Sequence, residues 1–162
     1  MTEGVIKYRC DHDHRALDEI IGKHALADLN AWRTVLLRLG LIGQDAARYQ
    51  GYGFGNMSLR IDARRFIITG TQTGHLPTLR WRDYALVVAA DITQHHIRSQ
   101  GLVKPSSEAL THASVYALDP AISCAIHVHS PDIWRASRDL ALPCISPDIA
   151  YGSAEMAAAV RG

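Results

Sequence analysis

The chain has 162 residues, 48% of them hydrophobic, and sets 17 Lys and Arg against 16 Asp and Glu. That length suits one domain, able to bury roughly 70% of its unfolded surface without a metal or disulfide staple. The near-neutral charge excludes a basic nucleic-acid surface, apolar runs such as Tyr84 to Ala90 are far shorter than a membrane span, and no signal-peptide pattern opens the chain, so a cytoplasmic protein is expected.

Cys10, Cys124 and Cys144 lack the paired spacing of a disulfide framework or a four-cysteine zinc site. Near the N-terminus, Asp11-His12-Asp13-His14 has a metal-like composition but reads as a solvated, unstructured segment leading into the first helix. Helical spacing then runs from about Ala16 to Leu39 through Leu17, Ile20, Ile21, His24, Leu26, Leu29, Val35 and Leu36. The register changes near His24-Ala25, which leaves one kinked helix or two shorter ones. Gly40 and Gly43 suit the end.

Past Gly51 the texture changes. Met57, Leu59 and Ile61 alternate, and the apolar run Phe66-Ile67-Ile68 follows Asp62-Ala63, which predicts a β-hairpin. Tyr84 to Ala90 reads as a buried strand and His95 to Ser99 as another. Ser106-Ser107 precede a helix over Glu108 to Leu118, with Leu110, Ala113 and Ala117 on one face and Glu108, His112 and Val115 on another. Ile122 to His129 alternates as a strand, Pro131 opens a short helix to Ser137, and Glu155 to Val160 reads as part of an alanine-rich helix. Strands interleaved with helices make a single α/β domain over residues 1–162.

Chemistry concentrates in four places. His127-Val128-His129 sends two imidazoles from one face of a strand while Val128 faces the other way, which suits a metal pair and equally suits two histidines satisfied by ordinary hydrogen bonds. Lys104-Pro105-Ser106-Ser107-Glu108 brings two hydroxyls and a carboxylate to a helix start, where backbone N–H groups attract anions; a capped helix would look the same. Gly51-Tyr52-Gly53-Phe54-Gly55-Asn56-Met57-Ser58 and Thr69-Gly70-Thr71-Gln72-Thr73-Gly74 offer close backbone approach and neutral donors, as plain turns also do. Neither matches a Walker loop or a dinucleotide fingerprint.

In their order, Gly55-Asn56-Met57-Ser58, Thr71-Gln72-Thr73-Gly74, Pro105-Ser106-Ser107-Glu108 and Ala125-Ile126-His127-Val128-His129-Ser130 resemble the motifs of the class II aldolase/adducin family. The resemblance implies a three-layer α/β/α domain with a central mixed β-sheet, and a homotetramer with active sites between subunits. It also implies roles. Gly55, Asn56, Thr73, Gly74, Ser106 and Ser107 would surround a substrate phosphate, Glu108 would transfer protons, and His127 and His129 would hold Zn2+ or another divalent metal. The implied activity is aldolase-type cleavage of a small phosphorylated sugar or hydroxycarbonyl compound through a metal-stabilised enediolate. Epimerase or dehydratase chemistry and a non-catalytic adducin-like module are the alternatives. Two departures stand out. Gln72 occupies the place of the family's usual proline, and no histidine follows His129 to act as the third metal ligand, so the sequence is expected to end before the segment that carries it.

Overall fold

The computed structural model describes residues 5–17, 23–150 and 152–160, with side chains from Leu26 onward in the first helix. The expectations placed on Ile20, Ile21 and the His24 side chain therefore lie outside the described residues. Eight strands are present among them: β1 (Arg9–His14), β2 (Gly43–Gln44), β3 (Gly53–Phe54), β4 (Asn56–Arg60), β5 (Phe66–Thr69), β6 (Tyr84–Asp91), β7 (His96–Gly101) and β8 (Cys124–His127). The helices are α1 (Lys23–Arg38), α2 (Ala109–Leu118), α3 (Pro131–Arg135) and α4 (Ala154–Ala159). No described helix is long and apolar enough to cross a membrane.

Six strands form one mixed sheet in the order β1-β7-β6-β5-β4-β8, in which only the β1–β7 pair is parallel. The apolar run of β5 makes physical sense here, because alternate residues enter different cores. Phe66 and Ile68 pack with Ala85, Val87 and Ile97 against Leu110, Ala113 and Tyr116 of α2. Ile67 points the other way, joining Met57, Tyr84 and Leu86 beneath Leu26 and Leu29 of α1. A sheet buried on both faces needs apolar residues at every position, and layers of α1, sheet and α2 with α4 result. The chain thus has the expected three-layer α/β/α architecture.

Three local expectations change. Arg9 to His14 is an edge strand, held by its parallel register with β7 and by His12, whose ring nitrogens lie 2.9 Å from Ser99 Oγ and 3.0 Å from the Gly101 carbonyl oxygen. The last strand ends at His127, so His129 stands in the loop beyond it. Ala117 is exposed at the end of α2, and Tyr116 takes the buried place beside Phe66. The three cysteines are free thiols.

Strand direction determines where the motifs meet. Registers pair Asn56 with His127, Thr69 with Tyr84 and Ala85 with Gly101, so the start of β4 and the ends of β5, β7 and β8 share one end of the sheet. All four motifs lie on or directly beside those ends.

Candidate active site

Two of the loops at this end are laced together by backbone. Gly70 bridges to Pro105, Thr71 N–H donates to the Lys104 carbonyl at 2.9 Å, and Ser106 N–H donates to the Thr69 carbonyl at 3.1 Å. Thr73 Oγ1 donates to the Gly70 carbonyl at 2.8 Å and rounds off the turn. A Cβ at Gly74 would collide with the Gly43 carbonyl oxygen, so this position requires glycine to pass so close to β2. Gln72 has φ of 57°, in the left-handed region. Proline is fixed near −65° and cannot adopt it, so this loop follows a path that the proline of the related motif could not take.

Glu108 caps the start of α2, and its backbone N–H donates to Ser106 Oγ at 3.3 Å. The carboxylate is buried with Ser106 and Ser107, and its Oε2 accepts from Thr111 Oγ1 at 2.8 Å. Tyr8 donates its hydroxyl to the Ser106 carbonyl at 2.7 Å, tying the N-terminal segment to this turn. Burial, reinforced by nearby Cys10 and Glu108, pushes the Tyr8 phenol far up, so it remains a hydrogen donor.

The ring centroids of His127 and His129 are 4.8 Å apart, although only His127 belongs to the strand. His129 is framed by Tyr49, whose ring meets it edge-on at 4.6 Å, and by Phe54 at 5.5 Å. Arg48 donates to the His129 carbonyl at 3.4 Å and stacks over Phe54 at 4.3 Å. Burial lowers the His129 pKa to about 4, with His127 and Arg48 adding to the effect. Burial also lowers that of His127, against an opposing pull from the Glu108 charge. Both imidazoles are therefore neutral near pH 7, the form that ligates metal.

Asn56 supplies a second test of fit. Its amide nitrogen lies 3.2 Å from His127 Nδ1, while its Oδ1 is buried with no hydrogen-bond partner among the described residues. Amide oxygen and nitrogen are interchangeable in assignment. A half-turn of the amide lets Oδ1 accept from His127 Nδ1–H, which leaves the lone pair on Nε2, and aims the amide N–H at the partnerless position. Both the imidazole pair and Asn56 thus fit a divalent ion with an oxygen-rich ligand beside it. Among the described residues, no third His, Cys, Asp or Glu completes a ligand cluster.

His112 faces inward and is not part of that pair. Ser58 Oγ lies 2.6 Å from His112 Nδ1 and 2.7 Å from the Tyr116 hydroxyl, in a buried chain under the site. Burial first, and His127 second, lower its pKa from 6.5 to about 3. An unfolded chain would bind this proton below pH 6.5, whereas the folded one would not until about pH 3. Stability is therefore intact above that window and falls as pH drops through it, by about 1.4 kcal/mol per pH unit for this one group. Denaturant midpoints of metal-free protein measured across the window should show a shallower slope for His112→Gln than for wild type.

Beside the imidazole pair opens a cleft of about 730 Å³, lined mostly by apolar side chains that include Trp134, Leu142, Ile145 and Met156. The other histidines lie elsewhere: His75 is exposed, and His96 pairs with Asp11 at 2.9 Å on the β1–β7 edge. Tyr8, Arg33, Arg48 and Tyr49 are the site residues that motif spacing does not reveal. All four come from segments distant in sequence from the motif they support.

Residues 44–159 match the family described as the Class II Aldolase and Adducin N-terminal domain. A methylthioribulose-1-phosphate dehydratase of Pectobacterium atrosepticum is 36% identical over 86 residues, covering 52% of this chain and 38% of the relative. One from Pseudomonas aeruginosa is 34% identical over 101 residues, covering 58% of this chain and 46% of the relative. The matched stretch therefore spans less than half the length of these curated relatives.

Proposed function

The chain belongs to the class II aldolase and adducin family, and from that premise we propose that it is part or all of a metal-dependent dehydratase acting on a small phosphorylated hydroxyketone of the methylthioribulose-1-phosphate type. The observation that carries this reading is the neutral pair His127 and His129 at the same sheet end as the buried carboxylate of Glu108. The curated activity of the relatives favours water loss over the carbon–carbon cleavage expected first. An adducin-like module without catalysis would leave that combination of neutral imidazoles and buried carboxylate without a use.

His127 and His129 would hold a divalent ion, which would supply Lewis-acid polarisation of the substrate carbonyl. Glu108 takes the proton from the carbon next to that carbonyl. The electron pair of the broken C–H bond forms a C=C bond as the β-hydroxyl departs, and the proton on Glu108 leaves with that hydroxyl as water. The resulting enol becomes a ketone by gaining a proton at carbon and losing one from oxygen. Asn56, Thr73, Ser106 and Ser107, with the close-packed Gly55 and Gly74, hold the phosphate by neutral donors and backbone N–H groups. The apolar cleft receives the substrate's thioether arm.

Mass analysis of the product from metal-loaded protein tests the assignment. The expected product is lighter than the substrate by one water and retains every carbon and the phosphate. Two carbon fragments would restore the aldolase reading, and an isomer of unchanged mass would indicate epimerisation.

A further inference from the structure

Arg33 is only 4% exposed, yet no carboxylate forms an ion pair with it among the described residues. Its guanidinium donates to two carbonyls, that of Thr73 at 3.2 Å and that of Pro77 at 3.3 Å. Asp83 acts on it only from beyond ion-pair distance. Burying a cation so weakly compensated is costly, and carbonyl acceptors offset only part of the cost. Guanidinium does not escape by losing its proton, because its ordinary pKa is too high. Such a group fits a protein in which further negative charge arrives with a ligand.

Its location indicates which ligand. Thr73, the residue it grips, is the centre of the Thr-Gln-Thr-Gly loop, and Arg33 lines a cavity of about 10 Å³ together with Gly55, Asn56, Thr69, Thr73 and Gly74. That space holds about one water and is too small for a phosphate. The guanidinium therefore stands behind the loop. The side chains assigned to the phosphate in front of it, Asn56, Thr73, Ser106 and Ser107, are all neutral, and Lys104, the basic residue in the adjoining turn, is exposed.

We propose that Arg33 is the buried cationic counterpart of the substrate's phosphate, neutralising a dianion through the loop while its two carbonyl hydrogen bonds hold that loop in shape. This inference rests on the loop being the phosphate end of the proposed substrate site. Arg33 is then a positioning and charge-balancing residue that never touches the reacting atoms. Attraction across the loop acts in a medium far less polar than water, so the charge counts for more there than on the surface.

The test is calorimetric titration of the intact chain with inorganic phosphate. Arg33→Gln, which can still donate to a carbonyl but carries no charge, should weaken phosphate binding on the order of 10- to 100-fold. Arg33→Lys, which restores the charge without the planar fork, should recover most of the affinity. Equal phosphate affinity in wild type and Arg33→Gln would overturn the proposal and leave Arg33 a structural clamp. So would an Arg33→Lys chain that folds normally but binds phosphate as poorly as Arg33→Gln. If Arg33→Gln fails to fold, the comparison of Arg33→Lys with wild type decides between the same two outcomes. Wild-type protein that binds zinc but no phosphate would instead overturn the phosphate assignment of the loop, and this inference with it.

Discussion

Replacing Glu108 by Gln should lower turnover of the phosphorylated hydroxyketone by about 100- to 10,000-fold, the usual contribution of a positioned general base. The amide keeps the shape of the carboxylate, and its oxygen can still accept from Thr111 Oγ1. Fold and metal content should therefore remain as in wild type. The Michaelis constant should change little, because in the proposed site other residues would hold the phosphate and the thioether arm. Steady-state kinetics with the metal content measured on the same preparation checks this. Unchanged turnover would remove Glu108 from the proton-transfer role.

His127→Ala should abolish metal binding at the site, and Asn56→Ala should weaken it. The two effects differ because the residues act at different removes. His127 would offer the lone pair itself from a rigid strand, and among the described residues only His129 stands beside it to compensate. Asn56 would act through the other ring nitrogen of His127, and losing such an orienting partner typically costs about 10- to 100-fold in affinity. Losing the ligand should cost more than that. Competition against a chromophoric chelator ranks wild type, Asn56→Ala and His127→Ala, and equal affinities for wild type and His127→Ala would place the metal elsewhere.

Much of this arrangement is legible in sequence because period and burial coincide there. The alternation of Met57 and Leu59 and the apolar run of Phe66 to Ile68 predict the central hairpin, since each residue of that run is committed to one core or the other. His127 and His129 meet as their spacing predicts, although Tyr49 and Phe54, rather than strand pairing, frame the second ring. The edge strand Arg9 to His14 is not legible: its six residues include no Val, Ile, Leu, Phe, Tyr or Trp, and it is held by backbone pairing and by bonds from His12. Arg33 escapes for the opposite reason. An arginine on an amphipathic helix reads as solvated, and only the fold shows that it is buried behind the Thr73 loop. Gln72 marks a departure whose meaning emerges only in the fold, because its left-handed backbone is what excludes proline.

Elemental analysis of purified protein and its variants tests the metal centre most directly. A stoichiometric divalent ion is expected in wild type, retained in Glu108→Gln and lost in both His127→Ala and His129→Ala. Trace metal that persists unchanged in both histidine variants would contradict it.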